Sequence, residues 1–328
     1  MRLLVVGGNG FLGSSICKAA LAKGWEVSSI SSSGRPFVAP SGRTPAWAKS
    51  PQMKWHAANA GAPETWQEIA ASSDACVHSV GRLLEGEYKT PKDAAAELVR
   101  AWSGGSAGGS NPLKRSKYDA VNRDLAVTVA NTFASTRRKG TNESPAPFIF
   151  ISAADHFRPI IPEGYIRSKR EAEAAIAQLA GLRSIFMRPG LMYHPANRPL
   201  STLPAALLDL SAAVHGKAHT LGTWVPTPSR ILSFLSSPRS PLSIFTPPSP
   251  HEKPSATPSS RTGPDFTALA RGITTPPLHV DTVAKAVVRA LEESEVEGPI
   301  EPADMKRLLG WRDVGAEPEE SLRERPSF

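Results

Sequence analysis

The start of the chain changes from an apolar run to a glycine-rich turn and then to a helical pattern. Residues 3–6 are apolar, residues 7–13 read GGNGFLG, and residues 11–20 carry apolar side chains at helical spacing. This order predicts a strand, a tight turn and a helix. A glycine fingerprint placed between a strand and a helix is typical of a dinucleotide-binding unit.

The glycines of this turn have separate tasks in such a unit. Gly7 can take the dihedral angles of the turn, Gly10 lets the backbone approach a pyrophosphate, and Gly13 lets the helix pack against its strand. The phosphates then lie at the positive end of the helix, where Phe11 and Leu12 begin it. We therefore expect all five residues to contact the nucleotide.

Similar apolar runs recur along the chain and alternate with helical patterns. Strands are predicted at 26–30, 55–59, 75–81, 148–151 and 185–187, and helices at 63–71, 118–133, 165–179 and 280–291. The run at 148–151 is apolar without alternation, as expected of a central parallel strand that is covered on both faces. The pattern predicts an α/β protein with a Rossmann-type, doubly wound parallel sheet.

The same pattern suggests how the chain is divided. Residues 1–195 form the predicted nucleotide-binding domain, and residues 275–293 return to it. Residues 196–328 form a small C-terminal lobe, in which the Pro- and Ser-rich tract 226–264 is predicted to be disordered. The low-complexity segment 103–110 is predicted to be a mobile loop, and the charged part after Gly298 is predicted to be peripheral.

An amphipathic helix is predicted at 203–214. Its apolar stripe fits ordinary core packing, and it also fits the wall of a hydrophobic substrate pocket. No apolar run reaches the length needed to span a membrane. The predicted strand at the very start leaves no room for a conventional presequence, unless an import signal is internal or has been removed.

Charge and cysteine content narrow the class of partner. The formal net charge is +8, which favours an anionic partner or surface. The basic clusters are short and have no interleaved aromatic residues, which argues against nucleic acid. Cys17 and Cys76 are the only cysteines, and they are interpreted as small buried side chains rather than a disulfide or a metal set.

The loop after the second strand bears on the choice of cofactor. A cofactor without a ribose 2′-phosphate is usually held here by an acidic residue. The chain instead has Ser31, Ser32, Ser33 and Arg35, which suit a 2′-phosphate through charge-assisted hydrogen bonds. NADP(H) is therefore favoured over NAD(H), although an ordinary polar loop with an exposed arginine gives the same pattern.

A phenol and an ammonium lie four residues apart in the helix predicted at 165–179. Tyr165 and Lys169 share a helix face, and a cation beside the phenol would lower its pKa towards neutrality. Tyr165 would exchange a proton with the substrate oxygen during hydride transfer. Ser152 would hydrogen-bond that oxygen, and Asn122 would hold a water or backbone group near Lys169. The alternative is a surface tyrosine beside an extended lysine.

Five further positions complete the predicted cofactor contacts: Asn59, Val80, Gly81, Pro189 and Lys169. Lys169 would hold the nicotinamide ribose in addition to tuning Tyr165. Arg188 remains open between a phosphate or substrate contact and a simple strand end. No metal site is predicted. His78 is interpreted as a buried sheet-edge histidine, and His215 and His219 are separated by a glycine-containing segment without a carboxylate.

The motifs taken together resemble the extended and atypical short-chain dehydrogenase/reductase superfamily, over residues 1 to about 195 and 279–291. More narrowly, they look like a fungal mitochondrial group tied to coenzyme Q biosynthesis, itself similar to the NADPH-holding accessory subunit of respiratory complex I. This narrower resemblance rests on GGNGFLG, HSVGRLLE at 78–85, NPLKRSKYDAVNRDLA at 111–126, IPEGYIRSKREAE at 161–173 and RPGLMY at 188–193.

The resemblance implies a protein on the matrix side of the mitochondrial inner membrane, peripherally associated and working with the ubiquinone-synthesising complex. Two departures stand out: Asn59 replaces the Asp that many relatives carry near the adenine, and one alignment puts Ala153 at the catalytic serine position. Members of the superfamily can also keep the nucleotide and lose turnover.

Three functions remain open at this stage. The first is an NADP(H)-dependent oxidoreductase acting on a hydrophobic substrate, such as a polyprenylated quinone precursor. The second is a non-catalytic assembly or regulatory subunit that binds NADP(H). The third is a sugar-nucleotide or isomerase-type member of the superfamily.

Overall fold

The fold is described from a computed structural model of the 328-residue chain. The structure describes residues 1–81, 119–137, 144–156, 161, 163–195, 211, 271–272 and 274–311. The segments predicted at 103–110 and 226–264, the helix predicted at 203–214 apart from residue 211, and the histidines 215 and 219 lie outside the described residues.

One seven-stranded sheet organises these residues. Its strands are β1 (Arg2–Val6), β2 (Glu26–Ser31), β3 (Met53–Ala57), β4 (Ala75–His78), β5 (Ala146–Ile151), β6 (Leu182–Met187) and β9 (Gly298–Ile300). The spatial order is β3-β2-β1-β4-β5-β6-β9, and every pair is parallel. The order reverses direction beside β1, as in a doubly wound fold, which confirms the predicted Rossmann-type architecture.

Helices cover both faces of this sheet. They are α1 (Phe11–Ala22), α2 (Gln67–Ala71), α3 (Leu125–Arg137), α4 (Glu163–Ala177), α5 (Val280–Glu292) and α6 (Pro302–Leu308). A two-stranded sheet pairs β7 (Met192–Tyr193) with β8 (Leu278–His279), where the described chain leaves and rejoins the main sheet.

Alternate residues of the central strands bury on opposite faces. Leu3 and Val5 pack in the cluster that contains α1 and α5, whereas Leu4 and Val6 pack in the cluster that contains α3 and α4. All four side chains are at most 1% exposed. The strands are therefore held from both sides, and their carboxyl ends are fixed at one edge of the sheet, where open α/β sheets bind ligands.

The helix predicted at 118–133 contains an irregular first turn. Asp119–Asp124 forms a π-helix, and regular α3 follows it. The wider turn shifts the buried face: Val129 and Phe133 are buried as predicted, but Val121 and Leu125 are only half-buried. Asn122, expected beside the apolar stripe, is fully buried instead. Single π turns of this kind occur frequently at functional sites.

The segment after Gly298 was predicted to be peripheral, and that prediction is wrong for residues 298–305. Residues 298–300 add β9 to the edge of the main sheet, and Met305 of α6 is fully buried. Short strands and charged helices carry little periodicity, so the sequence pattern missed a strand whose partner, β6, lies far away along the chain.

Two strand boundaries also differ from prediction. β3 begins at Met53 and ends at Ala57, and β4 ends at His78, so Asn59, Val80 and Gly81 lie in the loops that follow their strands. Among the described helices, none combines the length and the apolar character that a membrane crossing requires.

Candidate functional site

The glycine turn joins β1 to α1 with very little free space. Gly7 has a φ of +88°, which only glycine adopts readily, and its N–H donates to the carbonyl of Ile30 at 2.9 Å. The N–H of Gly10 donates to the carbonyl of Gly7 at 2.9 Å and closes the turn. Helix α1 starts directly after Gly10, which supplies no side-chain cap. The start of the helix is therefore suited to an anion supplied by a ligand.

The space around each of the other glycines shows whether it serves packing or leaves room for a ligand. A Cβ on Gly13 would lie 2.2 Å from the carbonyl oxygen of Gly7, and a Cβ on Gly8 would lie 2.4 Å from Oγ of Ser29. A Cβ on Gly10 would meet only the Gly7 oxygen, at 3.1 Å, and Gly10 is exposed. Gly8 and Gly13 thus serve packing, whereas Gly10 has the open side that a pyrophosphate would use.

The serine-rich loop after β2 is tied to the glycine turn. Nδ2 of Asn9 donates to Oγ of Ser31 at 3.2 Å and to Oγ of Ser33 at 3.4 Å. Ser33 and Arg35 are exposed beside it. Sequence reasoning missed Asn9, although its place inside the glycine motif could have suggested contact with the neighbouring loop. The polar groups expected at a 2′-phosphate therefore lie beside the start of α1.

Asn59 makes its hydrogen bonds within the turn that follows β3. Its Oδ1 accepts the N–H of Gly61 at 3.0 Å, and its backbone N–H donates to Oγ1 of Thr65 at 3.2 Å. The Oδ1 atom is therefore used locally. An adenine contact by Asn59 would have to come from its amide nitrogen.

Three predicted site residues meet at the carboxyl end of β4. A Cβ on Gly81 would lie 2.9 Å from Nζ of Lys169 and 3.3 Å from Oδ1 of Asn122. Gly81 follows β4, Asn122 lies in the π turn and Lys169 lies on α4. The three segments are far apart in sequence, and the fold brings these three residues close together. Ser79, in the same loop, donates from Oγ to the carbonyl of Val6 at 2.8 Å and anchors this loop beside the glycine turn.

Lys169 is an almost completely buried cation, with a relative exposure of 2%. Its Nζ donates to the carbonyl of Ile151 at 2.8 Å and lies 4.5 Å from the ring centroid of Phe150. Burial lowers the pKa of Lys169 to about 7, although the charge of Glu173 opposes that shift. Near neutral pH the side chain therefore gains and loses a proton readily.

The electrostatics of Tyr165 differ from the sequence expectation. Burial raises the pKa of Tyr165 to about 12, and the cation that partly offsets this rise is Arg170. The sequence predicts that Lys169 and the oxidised nicotinamide together lower the Tyr165 pKa, whereas in the protein alone desolvation dominates and raises it. The phenol is protonated at neutral pH, so it can donate a proton but is a poor base.

Ser152 lies at the end of β5, where the sequence placed it, but its hydroxyl has a partner that was not foreseen. Arg170 donates from Nη1 to Oγ of Ser152 at 3.1 Å and from Nη2 to the carbonyl of Ala153 at 2.8 Å. Ser152 is 3% exposed. Because a guanidinium only donates, Oγ acts as the acceptor here and its own hydrogen is left to donate elsewhere.

Arg188 belongs to a chain of ion pairs that begins at Arg170. Glu173, which is nearly buried, accepts from Arg170 at 2.6 Å and from Arg188, and Arg188 also donates to Glu301 at 2.9 Å. Two carboxylates already compensate Arg188, so the structure favours a structural role for it over phosphate binding. The carbonyl of Pro189 accepts the N–H of Ala154 at 3.0 Å and ties the ends of β5 and β6 together.

The remaining candidates are structural within the described residues. His78 is fully buried and stacks on Phe150 with ring centroids 5.9 Å apart. Burial, reinforced by the charge of Lys169, lowers the pKa of His78 to about 3, so His78 stays neutral. Burial raises the thiol pKa of Cys17 and of Cys76, which leaves both thiols unreactive. No group of three or more potential metal ligands occurs in the part of the chain that the structure describes.

The two glycines of the turn give a matched pair of variants. We expect Gly13→Ala to destabilise the protein by at least 2 kcal/mol, because the new Cβ meets backbone at 2.2 Å. Gly10→Ala should fold but should weaken NADPH binding by about tenfold or more, because its Cβ fills the ligand side of the turn. Urea unfolding and calorimetric titration measure the two effects. A folded Gly10→Ala variant with normal NADPH affinity would contradict this division of roles.

Replacement of Lys169 should stabilise the fold. The pKa of Lys169 is lower in the folded state than in the unfolded chain, so its penalty is complete below pH 7 and declines as the pH rises to about 10.5. We expect Lys169→Met to raise the free energy of unfolding at pH 7 by about 1–3 kcal/mol, with the gain shrinking at alkaline pH. Urea unfolding at several pH values measures this gain, and the exposed Lys285→Met serves as control. A loss would show that Lys169 stabilises the fold, and a gain that does not change with pH would show that desolvation of its charge is not the cause.

Comparison with known proteins gives a matching family and several sequence relatives, among them a yeast and a plant protein. Residues 3–99 match the NAD dependent epimerase/dehydratase family. The chain is 34% identical over 209 residues to MIOREX complex component 2 of Saccharomyces cerevisiae, covering 58% of this chain and 73% of that protein. It is also 28% identical over 194 residues to an uncharacterized chloroplastic protein of Arabidopsis thaliana. That match covers 58% of this chain and 51% of the Arabidopsis protein.

Solved structures with a similar fold include two sugar-nucleotide or epimerase-type proteins. The human epimerase family protein SDR39U1 with NADPH is 16% identical, with a TM-score of 0.42, over 92% of this chain and 73% of that one. The UDP-glucuronic acid 4-epimerase of Bacillus cereus with NAD is 14% identical, with a TM-score of 0.46, over 92% and 78% of the two chains. From its sequence match and its identity to the yeast relative, the chain belongs to the NAD dependent epimerase/dehydratase family.

Proposed function

We propose that this chain binds NADP(H) across the carboxyl edge of its sheet and reduces a carbonyl or quinone-like group on a hydrophobic substrate. The observation that carries the proposal is the approach of Asn122 and Lys169 to Gly81, whose loop is anchored by Ser79 beside the glycine turn. A buried lysine with a lowered pKa is costly to the fold, and such groups cluster at functional sites.

The cofactor assignment rests on the chemistry of two loops. The start of α1 offers uncapped backbone amides for the pyrophosphate. Asn9, Ser31, Ser33 and Arg35 offer hydrogen-bond donors for a 2′-phosphate, and the described end of β2 has no carboxylate to bind a free ribose hydroxyl. The nicotinamide would supply the hydride.

The roles of the reacting side chains follow from their protonation. Tyr165 is protonated at neutral pH and would donate its proton to the substrate oxygen, as the reduction requires. Lys169 would hold the nicotinamide ribose, and its position beside Gly81 supports that role. Ser152, whose Oγ accepts from Arg170, would donate its hydrogen to the same oxygen.

The biological setting is proposed from the resemblance of the motifs and from the yeast relative. We place the protein in mitochondria, on the matrix side of the inner membrane, working with the proteins that synthesise ubiquinone. The name of the yeast relative, a complex component, supports the expectation of protein partners. A polyprenylated quinone precursor fits the proposed hydrophobic substrate.

A second candidate is a non-catalytic subunit that binds NADP(H) for assembly or regulation. Two observations favour it: position 153 is an alanine, and Arg170 already occupies an acceptor site on Ser152. Both candidates require the nucleotide, so they differ only in whether Tyr165 reacts.

Cofactor choice is tested at Arg35. We expect the protein to bind NADPH more tightly than NADH, and Arg35→Ala to weaken NADPH binding by about ten- to hundredfold because a charge-assisted contact is lost. NADH affinity should be unchanged. Calorimetric titration with both nucleotides measures this, and Arg43→Ala, on the same connection, is the control. A clear preference for NADH would refute the assignment.

Turnover is tested at Tyr165. Tyr165→Phe removes only the hydroxyl, so NADPH affinity should persist while ubiquinone content in cells that carry the variant falls by at least tenfold. Gly10→Ala is the comparison, because it should lower nucleotide binding and ubiquinone together. If Tyr165→Phe cells make normal ubiquinone while Gly10→Ala cells do not, the protein acts through bound nucleotide alone and the enzymatic proposal fails.

A further inference from the structure

The connection between β2 and β3 has an unusual charge pattern. From Val27 to Pro63 the chain contains four cations and no carboxylate. These cations are Arg35, Arg43, Lys49 and Lys54, and all four are exposed. Elsewhere in the described chain, exposed cations commonly have acidic partners, such as Arg2 with Asp74 and Lys23 with Glu292. None of the four forms an ion pair within the described residues, so their charge is available to a partner.

This connection has a defined shape. Phe37 stacks on Trp47 with centroids 5.8 Å apart, Trp47 packs on Trp55 at 6.3 Å, and Nε1 of Trp55 donates to the carbonyl of Ala48 at 3.0 Å. The stack anchors the connection to the edge strand β3. Little conformational entropy would therefore be lost if this surface were to bind a partner.

An apolar side chain stands at the tip of the connection. The N–H of Ala39 donates to the carbonyl of Arg43 at 3.0 Å, and the N–H of Gly42 donates to the carbonyl of Ala39 at 2.8 Å. These bonds close a tight turn, with Val38 immediately before it and Arg43 at its end. Val38 is 52% exposed, and it is one of only three large apolar residues that are exposed among those described.

We infer that Val38, Arg43 and Lys49 form a docking surface for an anionic phospholipid bilayer. Basic side chains beside an anionic leaflet are each attracted by about 1 kcal/mol, and an exposed apolar side chain can enter the headgroup region. RNA fits this surface less well, because the three aromatic rings pack against one another, as a stacked pair and a tilted pair, instead of standing free to stack on bases. The inference deepens the proposed membrane association and rests on it for its biological setting.

Lys54 provides a matched control from the same stretch. It neighbours Trp55 in β3, and successive side chains of a strand point to opposite faces, so Lys54 lies on the face away from the aromatic stack. Replacement of Lys54 removes the same charge as replacement of Lys49 and leaves the proposed surface intact. Arg35 is not used as a variant, because the cofactor proposal assigns it to NADP(H).

The test is vesicle co-sedimentation of the full chain, without nucleotide or substrate, at 0.1 M salt. Phosphatidylcholine vesicles with and without phosphatidylglycerol are compared. We expect binding only to the anionic vesicles, a loss of about fivefold for Arg43→Ser or Lys49→Ser, and about 25-fold for the double variant. Val38→Ser should lose about threefold and Lys54→Ser less than twofold. Thermal unfolding and NADPH titration confirm that the variants remain folded.

Several results would overturn the inference. One is a failure of the protein to bind anionic vesicles, and another is equally good binding to neutral vesicles. A third is that Lys54→Ser weakens vesicle binding as much as Lys49→Ser does. Each of these results would contradict the proposed surface. Binding of transfer RNA that depends on Arg43 and Lys49, without vesicle binding, would assign the surface to nucleic acid instead. Since the assay contains no nucleotide, its failure leaves the cofactor proposal standing, and failure of NADPH binding leaves this inference standing.

Discussion

Close backbone packing at the β1–α1 turn is the constraint on which the rest of the structure depends. Gly13 sits so near the carbonyl of Gly7 that no side chain fits between them, and this contact fixes the start of α1 against the central strand. The same contact aims the first turn of the helix at the carboxyl edge of the sheet. Every later feature of the candidate site is positioned relative to that edge.

The other side of the site is built from buried polar groups, and these are costly to the fold. Lys169 loses most of its hydration, and Asn122 is fully buried in a π turn. Arg170, Glu173 and Arg188 form ion pairs that link α4 to β9 through Glu301. Among these ionisable groups, only Lys169 and Glu173 are buried, and the burial of a lysine at the carboxyl edge of the sheet supports a functional reason for its position.

The sequence predicted the elements that have strong local patterns. The glycine turn, the central strands and the helix of Tyr165 and Lys169 follow from runs and spacings of a few residues. The π turn was not predicted, because apolar spacing does not show where a helix turn widens. The wider turn moves the buried face to Asn122. β9 escaped because its pairing with β6 is non-local. The raised pKa of Tyr165 escaped because desolvation depends on packing that no motif records.

The most direct test of nucleotide binding at this sheet edge is a crystal structure of the full chain grown with NADPH. The account predicts the pyrophosphate over Gly10 at the start of α1, the 2′-phosphate within hydrogen-bond distance of Arg35, and the nicotinamide ribose beside Lys169 and Gly81. A nucleotide bound elsewhere, or a turn whose open side is filled by the protein's own side chains, would contradict it.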